Sequence, residues 1–204
     1  MKFQEHSQMK LHERADHLFK VISSERFMNK GGLGNEVPFF ICPFQPKDAP
    51  DMERLRKQLI NKLEQSGIQV LDINLYDLAL EILEQNGDLE WYISQEQTMT
   101  KDELKDELQG ILDVETILTP AIAERMQLSD FHVMFLSGVG EIFPYIRSHT
   151  ILNNLQSTAK DKPTVMFFPG AYTQSLENGA SLDLFGLLHD DKYYRAFNIY
   201  SYEV

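Results

Sequence analysis

The residues best placed to do chemistry are Ser137-Gly138-Val139-Gly140-Glu141, followed by Arg147, His149, Asn153 and Asn154. An apolar run, Phe131 to Leu136, precedes the glycines, and a helix-like stretch follows them. That strand–loop–helix order presents backbone N–H groups to an anion at a helix N-terminus. The chemistry a phosphate loop needs is missing. No Lys follows the glycines, and no Gly-Lys-Ser/Thr triplet occurs in the chain. The loop therefore reads first as a tight strand-to-helix turn. If it does hold a ligand, Ser137, Gly138, Gly140, Glu141 and Arg147 are the residues that would touch it. His149 and Asn153 stand one helical turn apart and could polarise a substrate, but no partnering carboxylate or nucleophile can be named for them.

Other constellations are weaker. Gly31-Gly32-Leu33-Gly34-Asn35-Glu36 precedes its strand instead of following it, so it reads as a structural turn. The six histidines form no His-x-x-x-His or His-Glu-x-x-His spacing, and no metal site or cofactor is expected. Cys42, the single cysteine, lies in the apolar run VPFFICPF and reads as a buried strand residue. One cysteine excludes an internal disulfide. Toward the C-terminus, Tyr172, Asp191, Tyr193, Tyr194 and Arg195 combine aromatic and charged side chains of the kind that anchor protein interfaces.

The elements that must position these groups follow from periodicity. Apolar residues at Leu11, Ala15, Leu18, Phe19 and Ile22 predict an N-terminal helix over about 9–28. Val37–Cys42 lies in a continuous apolar run suited to a strand buried on both faces, Ile68–Ile73 belongs to an alternating stretch that reads as a second strand, and with Phe131–Leu136 and Pro163–Phe168 these are the expected inner strands. Helical stripes separate them, at Asp51–Gln65, Tyr76–Gln85, Leu89–Leu112 (broken near Ser94–Thr100), Asp113–Gln127 and about Pro144–Thr158. A polar loop is expected over Ala171–Gly179 and a last strand over Tyr193–Tyr202. Alternation of this kind predicts one α/β domain over 1–204, with a mostly parallel central sheet flanked by helices. It resembles a nucleotide-binding fold without the phosphate-loop signature. Cys42–Phe44, Asn74–Asp77, Ser137–Glu141 and Pro169–Tyr172 should then gather at the carboxyl ends of the strands.

Composition narrows the function. Of 204 residues, 31 are Asp or Glu and 19 are Lys or Arg, a net charge of -12. Direct nucleic-acid binding, which relies on neutralising phosphates, is not expected. A partner with a basic face is. No apolar run approaches the roughly 20 residues of a membrane helix, and no secretory signal is visible, so a cytoplasmic location is expected.

Several long segments together resemble one family: GGLGNEVPFFICPF, VLDINLYDLALEIL, GVGEIFPYIRSHTILNNLQ and PTVMFFPGAYTQSLENGASLDLFGLLHDDKYYRAFNI. In this order, from about Arg26 to Ile199, they are similar to the BrxB family of bacterial BREX phage-defence systems. The resemblance implies a role beside larger partners: a PglZ alkaline-phosphatase-like protein, a PglX methyltransferase and a BrxC ATPase. It supplies no catalytic residues. The expectation is a non-catalytic adaptor that docks on the PglZ-like protein. The competing expectation is a nucleotide- or small-ligand-binding protein, or an enzyme, using the rim of the sheet. A deep pocket lined by Glu141, Arg147 or His149 would favour the second, and an exposed apolar patch the first.

Overall fold

A computed structural model describes residues 9–30, 38–175, 179–191 and 196–203. Its centre is a parallel sheet built from β1 (Phe39–Phe44), β2 (Val70–Asn74), β3 (Val133–Ser137), the first half of β4 (Thr164–Ser175) and the short β7 (Phe197–Asn198). The strands lie in the order β2-β3-β4-β1-β7. All four segments singled out in the sequence are strands of this sheet, as expected of an α/β domain; β1, β3 and β4 are inner strands as expected, whereas β2, also expected inside, forms an edge.

Strand alternation explains why both faces need cover. Phe40, Cys42, Val133, Phe135, Val165 and Phe167 face one way. They pack under α1 (Leu11–Ile22), α2 (Glu25–Met28) and α3 (Ala49–Gln65). Phe39, Ile41, Met134, Leu136, Met166 and Phe168 face the other way. Their cover is α4 (Leu75–Asn86), α5 (Leu89–Gln95), α6 (Lys101–Ile111), a π-helical turn (Val114–Leu118), α7 (Thr119–Leu128) and α8 (Ser148–Leu155). From β1 the chain crosses the first face to reach β2 at the sheet edge, then returns over the second face to β3 and β4. The connections from β1 and β3, which flank β4, leave toward opposite faces and so open a crevice at the strand carboxyl ends.

Three further expectations are corrected. The stretch Ala171–Gly179 is not simply a loop. β4 runs on to Ser175 and pairs antiparallel with β5 (Gly179–Leu184), which pairs with β6 (Leu188–Asp191). The change of partner falls at Pro169-Gly170: Pro169 ends the register with β1, and Gly170 opens the register with Leu184. A Cβ on Gly170 would lie 2.1 Å from the Asp183 carbonyl oxygen, so only glycine lets β5 close on this strand. The last strand is the two residues of β7, followed by a 3-10 turn at Ile199–Ser201, while 193–195 lie outside the described residues. The helix expected from Pro144 begins at Ser148, because residues 139–147 form a series of turns. The glycine-rich stretch 31–36 also lies outside the described residues.

Candidate functional site: a cleft at the carboxyl ends of the strands

The four segments expected at the strand ends do gather there, around a cleft of about 570 Å3. Phe44 ends β1 and forms one wall with Pro46, Ala49 and Pro50 at the entry to α3. Phe167 and Pro169 of β4 and Phe185, in the turn between β5 and β6, supply apolar surface. Ser137, Gly138, Gly140 and Glu141, expected at the strand ends, complete it from the β3 side.

Local rules explain this wall. Asn74 ends β2 and caps α4, its Oδ1 accepting from Tyr76 N at 2.9 Å and Asp77 N at 3.3 Å. Gly138 passes directly over that amide with φ +76°. Ile142 N donates to Gly138 O at 3.1 Å, which starts the turn region. Ser137 is buried, and among the described residues its Oγ finds no hydrogen-bond partner.

The cation of the cleft is Arg56 of α3, whose side chain is only 4% exposed. Its Nη2 donates to Glu53 Oε1 at 2.7 Å and its Nε to Glu53 Oε2 at 3.1 Å, while Nη1 donates to Asp72. Burial works against the charge, but these two carboxylates outweigh it and raise the guanidinium pKa. Burial likewise pushes Glu53 up, and the hydrogen bonds and charges of Arg56 and Lys57 override it, leaving the carboxyl below its usual range. With its charge met on two sides, Arg56 is a poor holder of a phosphate.

Several predicted residues lie elsewhere. Arg147 is exposed at the start of α8 and does not line the cleft, since the turns over 139–147 carry it away from the strand ends. His149 is buried and Asn153 exposed, so the pair does not share a working face. Asn154 instead donates its side-chain amide to Thr150 O at 2.8 Å. Tyr172 is fully buried, and its hydroxyl donates to Ala196 O at 2.6 Å. It lies on the core face of β4 with Phe168, so it cannot anchor a partner. Tyr193, Tyr194 and Arg195 lie outside the described residues, and Asp191 ends β6.

Cys42 is buried, as the sequence reading has it. Burial pushes its thiol up to about 12, more than the Tyr200 contact at 3.4 Å and the charge of Arg14 pull it down. Among the described residues no group of three or more His, Cys, Asp or Glu side chains is placed to hold a metal, and no helix is long and apolar enough to cross a membrane.

Asn74, Arg56 and Glu53 were not among the predicted site residues. Asn before a helical stripe is a cap signal, and Glu53 and Arg56 stand at an ion-pairing helical spacing. Nothing local announces that Asp72, on another element, meets the same guanidinium.

The architecture defines a class: a doubly wound α/β domain with a cleft at the strand carboxyl ends. Comparison with known proteins is more specific. The family model for BREX protein BrxB matches residues 71–199. The chain is similar to a BREX protein BrxB of Bacillus cereus (strain H3081.97), 37% identical over 198 residues that cover 93% of this chain and 97% of the relative. It is also similar to a BREX protein BrxB of Escherichia coli O9:H4 (strain HS), 28% identical over 178 residues, 87% of this chain and 86% of the relative. No solved structure matches it significantly. The chain belongs to the BrxB family, and through it to the BREX phage-defence system.

Proposed function

We propose that this protein is a non-catalytic adaptor of the BREX assembly, acting in the cytoplasm through protein–protein binding. The PglZ-like phosphatase-fold protein is its foremost partner, with the PglX methyltransferase and the BrxC ATPase as further components it can meet. The observation that carries this reading is the state of Ser137 and Cys42, nucleophile-type side chains on two of the central strands. Ser137 Oγ makes no hydrogen bond to a base among the described residues, and the Cys42 thiol is held neutral by burial. A working nucleophile needs the opposite, an adjacent base or a lowered pKa. The acidic surface supports a partner with a basic face. The test is co-purification of the tagged full-length chain, expressed from its own operon at low salt. Retention of at least one other component is expected, and if none is retained the adaptor reading falls.

One observation favours a second reading, ligand binding: the cleft is large enough for a small molecule and Ser137, Gly138, Gly140 and Glu141 all line it. Calorimetric titration with ATP, GTP or another nucleotide decides it. Saturable binding lost in Gly140→Trp would establish a ligand site.

A further inference from the structure

A second cavity, of about 200 Å3, opens on the outer surface of the second helical layer. It is a groove between α4, α5 and α6. Leu80, Leu83, Leu104 and Leu108 line it, and Tyr76 and Ile93 rise at its edge. Ile93 is 64% exposed and Tyr76 39%. Apolar side chains of this size standing in solvent beside a groove are unfinished packing.

The surroundings say what finishes it. Between Leu75 and Leu112 the chain carries ten acidic and two basic side chains, eight of its twelve excess negative charges. Glu84, Glu90, Glu96, Asp106 and Glu107 are all exposed there. An apolar furrow between helices accepts the apolar stripe of another helix. An acidic border selects against a helix with acidic flanks and for one flanked by Lys and Arg. A second copy of this chain, itself at -12, meets repulsion.

We propose that the groove between α4, α5 and α6 is a docking site for a cationic amphipathic helix of a protein partner. The proposal rests on the adaptor reading and names one surface that serves it. One wall of the groove is the turn region after β3, through Ile142 and Tyr145. The same region lines the cleft through Gly138, Gly140 and Glu141. Gln109 of α6 ties it down by donating to Pro144 O at 3.1 Å.

The test uses the tagged full-length chain produced with its operon. Ile93→Lys adds a like charge for the basic helix and removes the apolar edge, at a position too exposed to affect folding. Retention of the partner is expected to fall about tenfold or more, and retention by the unmodified chain to fall steeply between low and high salt. Leu128→Lys, an exposed apolar position on α7 outside the groove, should change nothing. A photoreactive phenylalanine at position 93 should cross-link to a partner segment with Lys or Arg beside apolar residues at helical spacing. Cross-linking to a second copy, to an acidic segment or to none, with a partner still retained by Ile93→Lys, overturns the groove assignment and leaves the adaptor reading standing. If the unmodified chain retains no component, both fall together.

Discussion

A Cβ on Gly138 would lie 2.0 Å from Asn74 Oδ1, the atom that caps α4. The turn after β3 and the start of α4 are therefore fitted to each other through an atom that residue 138 does not have. Gly138→Ala is expected to destabilise the fold by about 2–3 kcal/mol, from the positive φ and the forced displacement of the cap together. Asn74→Ala alone should cost about 1 kcal/mol. In the Asn74→Ala background the Gly138→Ala cost should shrink without vanishing, because the contact with Asn74 is gone while the approach to Tyr76 N at 2.9 Å and the positive φ remain. Urea unfolding of the four proteins gives the coupling, and strict additivity would show that the contact is not what constrains residue 138.

Arg56 should be a structural residue. Arg56→Met leaves Glu53 and Asp72 without their common partner. The expected loss is about 1–3 kcal/mol, less than for a sealed ion pair because both carboxylates reach solvent. The acid limb of stability should change too. Glu53 titrates lower in the fold than its usual 4.5, so its contribution is present above about that pH and is lost as the pH falls through the folded value. Chemical unfolding between pH 3 and 6 should therefore show a shallower acid slope in Arg56→Met than in the unmodified chain. Equal slopes would contradict the pairing.

On the alkaline limb Cys42 and Tyr200 both contribute. Burial raises the thiol from 9.0 to about 12, and burial with the Cys42 contact raises the phenol above its usual 10.0. The unfolded chain gives up these protons first. Their contribution is complete below about pH 9 and disappears as the pH rises toward the folded values. Cys42→Ala should lose less stability than the unmodified chain between pH 8 and 11. At neutral pH an aromatic disulfide reagent should react with Cys42 at the rate of unfolding, and fast labelling of the native protein would refute the assignment.

Neither ATP nor GTP should be turned over by the isolated protein. The cationic side chain on the cleft wall is already bound by two carboxylates, and no lysine of a phosphate loop stands near the β3 glycines. Phosphate release that persists through purification and disappears in Glu141→Gln would reverse this view of the cleft.

At the C-terminus, charge reversal in Asp191→Lys or Arg195→Glu is expected to leave the protein folded while weakening both partner retention and phage defence. Unchanged retention of every component by both variants would remove that segment from the interface.

Much of this fold was legible because the inner strands are apolar on both faces: runs such as Val133–Leu136 can hardly be anything but the middle of a covered sheet. The cleft followed, since strand direction decides where the loops collect. The β4–β5 arm was missed for the converse reason. Ala171–Ser175 interleaves small and polar residues with Tyr172, and only the Pro169-Gly170 change of partner makes it a strand. Arg147 was misplaced because a helix was started at Pro144, where the chain forms turns. The Arg56–Asp72 bond joins separate elements, and no periodicity reports on side chains that meet only after packing.

The turn region after β3 is one wall with a cavity on each side. Residues 138–141 line the inner hollow and Ile142 and Tyr145 the outer one, so a substitution that shifts the turn region as a whole reaches both, and a binding readout for each hollow separates the two effects. Controls come from the opposite banks, Phe44 and Pro50 for the inner hollow, Leu80 and Ile93 for the outer one.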